Sequence, residues 1–381
     1  MNLQLSEDTP DVLHVSKYYY PEVGGIEQVV QTLAEGLNGP SYNTSVLASA
    51  PRGRGSVERT NGVPVRKAGS LGEMLSVPMS PLFPIELAAA GYNADILHFH
   101  LPHPGAVASQ LALGPDAPKI VVTYHSDIVK QSTALKFYRP FLHRFLEQAD
   151  HIMTTSPNLF EDSEHLAPYA EKCTVVPLSI DLDEFGSYSG ETYDIPGEPS
   201  RPTLLFVGRL SYYKGVKYLV DAMEHVDADL LIVGDGEQRD ALEKRVRDVG
   251  AENNVHFLGK IPDEELHYCY DIADVFVLPS IASSEAFGIV QLEAMAYETP
   301  VINTSLPTGV PWVSTHEETG LTVPPKDSDT LAVAISRLLE DDELRRAYGR
   351  NAATRVQEKF SQERMLERTA DVYNRVLSEP E

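Results

Sequence analysis

The feature that most constrains the fold is a rhythm. Short apolar runs alternate with helical stretches from one end of the chain to the other. In the first half the runs are DVLHVS, TSVLAS, DILHFH, KIVVTYH, HIMTTS and CTVVPL; in the second they are TLLFVG, DLLIVG, VHFLG, DVFVLPS, TPVINTS and GLTVPP. Each is apolar nearly throughout rather than at alternate positions. That means burial on both faces, the condition of a parallel sheet covered by helices. Between the runs lie stretches of helical period such as IEQVVQTLAEGL, GVKYLVDAMEHV and DTLAVAISRLLEDDELRRAYG. The alternation predicts an α/β chain, and 381 residues exceed what one core ordinarily encloses, so two doubly wound domains are expected. Residues 186–201, GSYSGETYDIPGEPSR, have no periodicity and are the expected linker. Two such domains would face each other across a cleft at the carboxyl ends of their sheets, where ligands of open α/β sheets bind.

Composition narrows the function. The net charge of -25 comes from 56 acids and 31 bases. Residues 1–199 carry 24 acids and 12 bases, leaving 32 and 19 for the rest, so the excess is even. Even acidity suits a surface hydrated in a salt-rich cytoplasm and speaks against nucleic acid, whose phosphates need a basic footprint. The opening MNLQLSEDTPDVLHV has no basic stretch followed by an apolar core, so no signal peptide is expected. No apolar run approaches the ~18 residues of a membrane span. Two cysteines, Cys173 and Cys269, fit a reducing compartment. One segment departs from the acidic rule. Residues 128–146, IVKQSTALKFYRPFLHRFL, hold no acid and place Lys130, Lys136, Arg139 and Arg144 among aromatic and aliphatic residues. Two readings stand: a basic amphipath making peripheral contact with the inner face of an anionic membrane, or a helix packed on its own domain with snorkelling bases and Pro140 inside it.

Candidate site residues gather at predicted strand ends. In LLFVGRLSYYKGVKYLV a strand ends at Gly208, and Arg209 and Lys214 precede the helix opened by Gly215. Two cations beside a helix start form an anion site. Gly234-Asp235-Gly236 begins like a dinucleotide fingerprint, but Arg239 stands where the third glycine belongs. This favours a tight turn beside a nucleotide base over NAD binding.

In SSEAFGIVQLEAMA, Glu285 falls in the loop or first turn of a helix running to about Tyr297, with the backbone N–H groups of Phe287, Gly288 and Ile289 beyond it. Glu293 lies eight residues on, roughly 12 Å along a helix axis, close to the span from a sugar across a diphosphate to a ribose. Carboxylates accept well from vicinal diols, and burial of Glu293 without a partner would be costly. Gly24 and Gly25 would let backbone N–H groups approach a phosphate or sugar, although a plain tight turn would look the same. His125 and Asp127 follow a strand end, where a structural and a ligand-facing histidine are both open readings. His98 and His100 share a strand face, with His103 nearby, but no acid or cysteine at suitable spacing completes a metal site. The D-x-D triplets Asp181/Asp183, Asp227/Asp229 and Asp327/Asp329 lie away from strand carboxyl ends and read as surface acids.

Together these motifs resemble the retaining GT-B glycosyltransferases of family 4. PEVGGIEQVV, TYHSDIV, VVPLSIDLDEF, FVGRLSYYKG, LLIVGDGE, VHFLGKIPDEEL, SEAFGIVQLEAMA and TGLTVPPKD occur in the family's order over almost the whole chain. The resemblance implies two Rossmann-like domains, here 1–190 on the acceptor side and 191–360 on the nucleotide-sugar side, with 361–381 returning to the first. It implies that Glu285 holds the donor sugar and Glu293 the ribose, that Arg209 and Lys214 grip the diphosphate, and that Phe287 to Ile289 contribute backbone to sugar and phosphate. Gly24 and Gly25 match a loop closing over the donor, and His125 a histidine near the reacting face of the sugar. No metal or other cofactor is implied. Leu178-Ser179-Ile180-Asp181 departs from the family's usual Gly before Ile-Asp. The expected partners are a nucleotide-sugar donor, with GDP-mannose first and UDP-hexoses next, and a glycan or lipid-linked acceptor. A sugar-phosphate synthase and a non-catalytic nucleotide-sugar-binding protein are the alternatives.

Overall fold

The computed structural model describes residues 9–22, 24–74, 77–114, 118–127, 132–197 and 201–379. The chain divides into two compact units, Met1–Pro177 with Met365–Glu381, and Leu178–Arg364.

In the first unit, eight strands form one sheet: β1 (Asp11–Val15), β2 (Asn43–Ser49), β3 (Ser56–Thr60), β4 (Val63–Ala68), β7 (Ile96–Leu101), β8 (Lys119–Tyr124), β9 (His151–Thr154) and β10 (Cys173–Val175). A separate two-stranded ribbon comprises β5 (Glu73–Met74) and β6 (Val77–Pro78). The main order is β10-β9-β8-β7-β1-β2-β4-β3, parallel except for β3 against β4. Strand order reverses between β1 and β7, which pair in register with His14 beside His98. That reversal is the topological switch point, where the carboxyl ends of such sheets open a crevice. The six runs read as strands in this half are six of the strands. The hairpin β3–β4 has weak apolar periodicity, but Asn61-Gly62 supplies its turn, with φ of 49° and 88°. Two consecutive positive φ values are what a two-residue hairpin turn requires, and Asn-Gly meets them cheaply.

The second unit holds β11 (Thr203–Val207), β12 (Asp229–Val233), β13 (Val255–Gly259), β14 (Val275–Val277), β15 (Val301–Thr304) and β16 (Gly320–Val323). All pairs are parallel in the order β13-β12-β11-β14-β15-β16, with the switch point between β11 and β14. β11, β12, β14 and β15 are buried along nearly their whole length, which accounts for their unbroken apolar character.

Two boundaries differ from the sequence reading. The division between units falls at Pro177/Leu178 and not within 186–201. The described part of that segment belongs to the second unit, with Tyr188 and Tyr193 packing on Tyr268 at ring distances of 5.6 and 5.8 Å. The helical stretch after β16 is two helices, Ser328–Glu340 and Asp342–Lys359, because the Asp341 side chain accepts from the Leu344 amide and caps the second. The final helix, Gln362–Ser378, buries Val372, Tyr373 and Val376 in the first unit.

Candidate active site

In the second unit the chain leaves β11 at Gly208, whose φ is +151°. A Cβ there would meet Lys214 at an ordinary contact distance of 3.4 Å, so it is the positive φ and not lack of space that calls for glycine. Lys214 is buried, and its Nζ sits 2.6 Å from Glu285 Oε2. The Ser280 hydroxyl donates to the same oxygen at 3.0 Å. Burial alone would lower the Lys214 pKa, but the Glu285 carboxylate outweighs it and the ammonium is held above its usual value. Arg209, three-quarters exposed, lies 3.7 Å from Glu237. The two cations read as a pair therefore stand in different environments, one a buried, ion-paired charge and the other an exposed surface one.

Glu285 lies before the helix. Residues 283–289 are a mixture of turn, bend and irregular backbone, and the helix spans only Val290–Ala296. Of the two places open to Glu285, the loop or the first turn, it occupies the loop, and the 12 Å separation from Glu293, which assumed continuous helix, does not apply. The cause is Gly288 at φ +76°, a left-handed residue that breaks helical geometry just before Val290. The break leaves the backbone N–H groups of Phe287, Gly288 and Ile289 with no hydrogen bond among the described residues. The Phe287 ring is anchored inward against Trp312 and Phe360, so this residue offers its backbone only. Gln291 and Asn303 brace the turn from behind: the Gln291 side chain donates to the Phe287 backbone carbonyl at 3.0 Å, and Asn303 donates to the Gln291 side-chain Oε1 at 2.9 Å.

Glu293 accepts from the Tyr270 hydroxyl at 2.5 Å. Its surroundings are dense enough that burial pushes its carboxyl up to about 7, against the lowering effects of Tyr270 and Lys214. The partner demanded by its burial is thus a tyrosine from the helix Asp263–Ile272. Ser280 and Tyr270 were missed in the sequence; only the position of Ser280 at the end of DVFVLPS could have pointed to it. The Gly234-Asp235-Gly236 turn packs on the Gly208–Leu210 turn, with the Leu210 amide donating to the Asp235 carbonyl. A Cβ on Gly234 would fall 2.1 Å from the Gly208 carbonyl oxygen and one on Gly236 2.5 Å from that of Leu210. The glycines serve this backbone-to-backbone approach.

In the first unit, His125 is buried just past β8 and lies 3.2 Å from His100 Nδ1 through its Nε2. His100 Nε2 continues to His14 Nδ1 at 3.1 Å. Burial holds His14, His100 and His125 far below the ordinary histidine value, so the chain is neutral at pH 7. A neutral imidazole carries one N–H, so the three tautomers are linked: if one flips, all flip. His14, His98 and His100 bring ligand nitrogens within 4.8 Å of one another. Both His98 nitrogens are engaged, however, with the Tyr373 hydroxyl at 2.6 Å and the Thr123 hydroxyl at 2.7 Å. Asp127 accepts from Tyr124 and Ser163 and has no contact with this chain among the described bonds.

Gly24 precedes the helix Gly25–Gly36 in extended conformation, and a Cβ there would meet the Glu27 carboxylate at 2.3 Å. A carboxyl group, raised in pKa mainly by its burial, therefore lies over the glycine pair. Of the aspartate triplets, Asp327 caps a helix and Asp227 pairs with Arg201, but Asp229 is buried against His256 and is no surface acid. Residues 128–131 of the basic aromatic segment lie outside the described residues. The rest belongs to the helix Ser132–Gln148, which buries Leu142, Phe145 and Leu146 and exposes Phe137, Phe141 and Arg144. Among the described residues no helix is long and apolar enough to cross a membrane.

Residues 23–184 match the model of glycosyltransferase family 4, and residues 194–355 that of the glycosyl transferases group 1. The chain is 32% identical to O-antigen chain mannosyltransferase C of Escherichia coli over 96% of its length and 98% of that protein. It is 35% identical to the D-rhamnosyltransferase WbpZ of Pseudomonas aeruginosa, over 92% of each. Among solved structures, the sucrose-phosphate synthase of Thermosynechococcus elongatus superposes with a TM-score of 0.81 at 25% identity, covering 97% of this chain and 99% of that one.

Proposed function

The chain belongs to the group 1 glycosyltransferases of the GT-B fold, and on that premise we propose a retaining, metal-independent hexosyltransferase that moves mannose from GDP-mannose to a glycan or lipid-linked acceptor in cell-surface polysaccharide or glycoprotein glycan assembly. The observation that carries this reading is the buried Lys214–Glu285 pair beside the unspent N–H groups of Phe287, Gly288 and Ile289. A buried cation and free backbone donors suit a departing nucleoside diphosphate, whose charge grows as the glycosidic bond breaks. Arg209, exposed beside Glu237, would reach the diphosphate when it binds. Glu285, already oriented by Ser280 and Lys214, holds the sugar as positive charge develops at its anomeric carbon. Glu293 takes the ribose diol. The departing phosphate oxygen takes the acceptor proton, so no enzymic nucleophile is needed.

The mannosyl and rhamnosyl transfers in the relatives' names support a hexose or deoxyhexose donor. The likeness to sucrose-phosphate synthase keeps a soluble sugar-phosphate acceptor as the second reading. The exposed Phe137 and Phe141 favour the lipid-linked one. To test the proposal, the protein is given GDP-mannose or UDP-glucose with a lipid-linked glycan or a sugar phosphate, and the product is read by NMR. Transfer of mannose with the α configuration of the donor preserved is expected. An inverted anomeric centre, or consumption of no donor, overturns it.

A further inference from the structure

Two consecutive residues at the end of β15, Asn303 and Thr304, are polar and almost fully buried, and the proposed mechanism assigns them nothing. Each ties the strand to the loop that carries Glu285. The Thr304 hydroxyl donates to the Ser280 carbonyl at 2.6 Å, and the Ser280 hydroxyl is the one that meets Glu285. The Asn303 amide donates to Gln291 Oε1, and Gln291 Nε2 donates to the carbonyl of Phe287. One line holds the chain before Glu285 and the other holds it after.

The orientation of both amides is dictated by their neighbours. Around Asn303 Nδ2 stand three acceptors: Gln291 Oε1 at 2.9 Å and the carbonyls of Val310 at 3.0 Å and Ser314 at 3.2 Å. Asn303 Oδ1 accepts from the Thr322 hydroxyl of β16 at 2.8 Å. Gln291 Nε2 faces the carbonyls of Phe287 and Val310, which leaves its Oε1 toward Asn303. A rotated amide would set oxygen against oxygen, so the network has one arrangement. Gln291 is 0% exposed and Asn303 1%, and every side-chain polar atom of the two has a partner. A buried network satisfied at each member is rigid, and one broken at any member is costly. Gly288 leaves room for it: a Cβ there would stand 2.9 Å from Gln291 Nε2.

We infer that Gln291, Asn303 and Thr304 are positioning residues that hold the Glu285 carboxylate in place against Lys214 for the transfer step. The role in transfer rests on the glycosyltransferase reading; the hold on Glu285 does not. Loosening Glu285 should lower kcat. Glu293, held separately by Tyr270, should keep the donor KM nearly unchanged.

The test uses the full chain and two readouts: transfer kinetics with GDP-mannose, and the ¹⁵N–¹H signal of the Lys214 ammonium, which burial against Glu285 shields from exchange with water. Gln291→Met keeps the length of the side chain and removes its hydrogen bonds. It should shift or broaden the Lys214 signal and lower kcat by about tenfold or more, with the donor KM within about threefold. Gln291→Glu gives the sharper reading. Burial raises the pKa of a carboxyl, and the protonated acid can donate to Phe287 and accept from Asn303, whereas the ionised one cannot donate. Its kcat relative to wild type should therefore recover to within about threefold as pH falls from 8 to 6, and that of Gln291→Met should stay flat. Glu293 titrates in all three proteins and cancels in the ratio.

Thr322→Val, isosteric and at the half-buried outer end of the network, should move the Lys214 signal the same way and lower kcat about threefold. It decides the matter if the Gln291 variants fail to fold. A folded variant with an unchanged Lys214 signal and wild-type kcat, or a Gln291→Glu ratio as flat as that of Gln291→Met, would overturn the assignment. A wild type that transfers nothing would count against the glycosyltransferase reading, and the Lys214 signal would still decide the hold on Glu285.

Discussion

The two units place polar clusters at equivalent points, the switch points of their sheets, and build them from opposite chemistry. In the Leu178–Arg364 unit the cluster is built on a charged pair, Lys214 against Glu285, with Glu293 accepting a hydrogen bond from the Tyr270 hydroxyl. In the other unit it is a string of neutral rings, His14, His100 and His125, with no acid or base among them. The same architecture can thus present a fixed charge or a neutral donor. The first suits a ligand that carries charge, and the second one that carries hydroxyls. The difference also fixes how each cluster fails when a member is removed.

The largest effect is expected at the charged pair. Glu285→Ala strands a buried ammonium, which should cost about 3–5 kcal/mol in denaturant unfolding and lower transfer by about 10³-fold. Lys214→Met combined with Glu285→Leu removes both charges. It should recover most of the stability and none of the activity. A double variant no more stable than the single one would break the contrast, because the pair would not then be the source of the cost.

The neutral string should fail more gently. His100→Leu leaves one nitrogen on each of His14 and His125 unpaired, for about 1–3 kcal/mol. The sharper readout is the tautomer of His125 in ¹⁵N NMR. His14→Phe, two rings away, should alter it as well, and an unchanged His125 would show the rings to be independent.

Glu293 carries a pH signature. Its folded pKa of about 7 lies above the ordinary 4.5, so the folded state binds its proton more tightly. The associated stability is fully present below about 4.5 and is lost as pH rises through 7, a fall of about 1–3 kcal/mol. Glu293→Gln should flatten that slope in melts run from pH 4.5 to 8. The smallest effect belongs to the exposed stripe outside both clusters. Phe137→Ser with Phe141→Ser should change stability by no more than about 0.5 kcal/mol while reducing sedimentation with anionic vesicles.

Much of this was legible in the sequence because burial on both faces leaves an unbroken apolar run, and such runs marked twelve of the strands. The β3–β4 hairpin escaped because Ser56–Thr60 is exposed and has no apolar period; only Asn61-Gly62 signalled it. At the site, Glu285, Glu293, Lys214 and the 287–289 backbone could be named from their spacing. Their partners could not. Tyr270 stands 23 residues from Glu293, and His14 stands 86 from His100, so the sheet alone brings them together. The helical spacing assumed between Glu285 and Glu293 failed because Gly288 looks like any glycine until its φ is known.

The central claim is that the charged cluster binds a nucleotide sugar. Calorimetric titration of GDP-mannose, UDP-glucose and their free diphosphates into the wild type and Glu293→Gln in high potassium chloride tests it most directly. One nucleotide sugar and its diphosphate should bind the wild type, and the variant should bind both at least tenfold more weakly. A folded wild type that binds none of them, or a variant that binds them equally well, would contradict it.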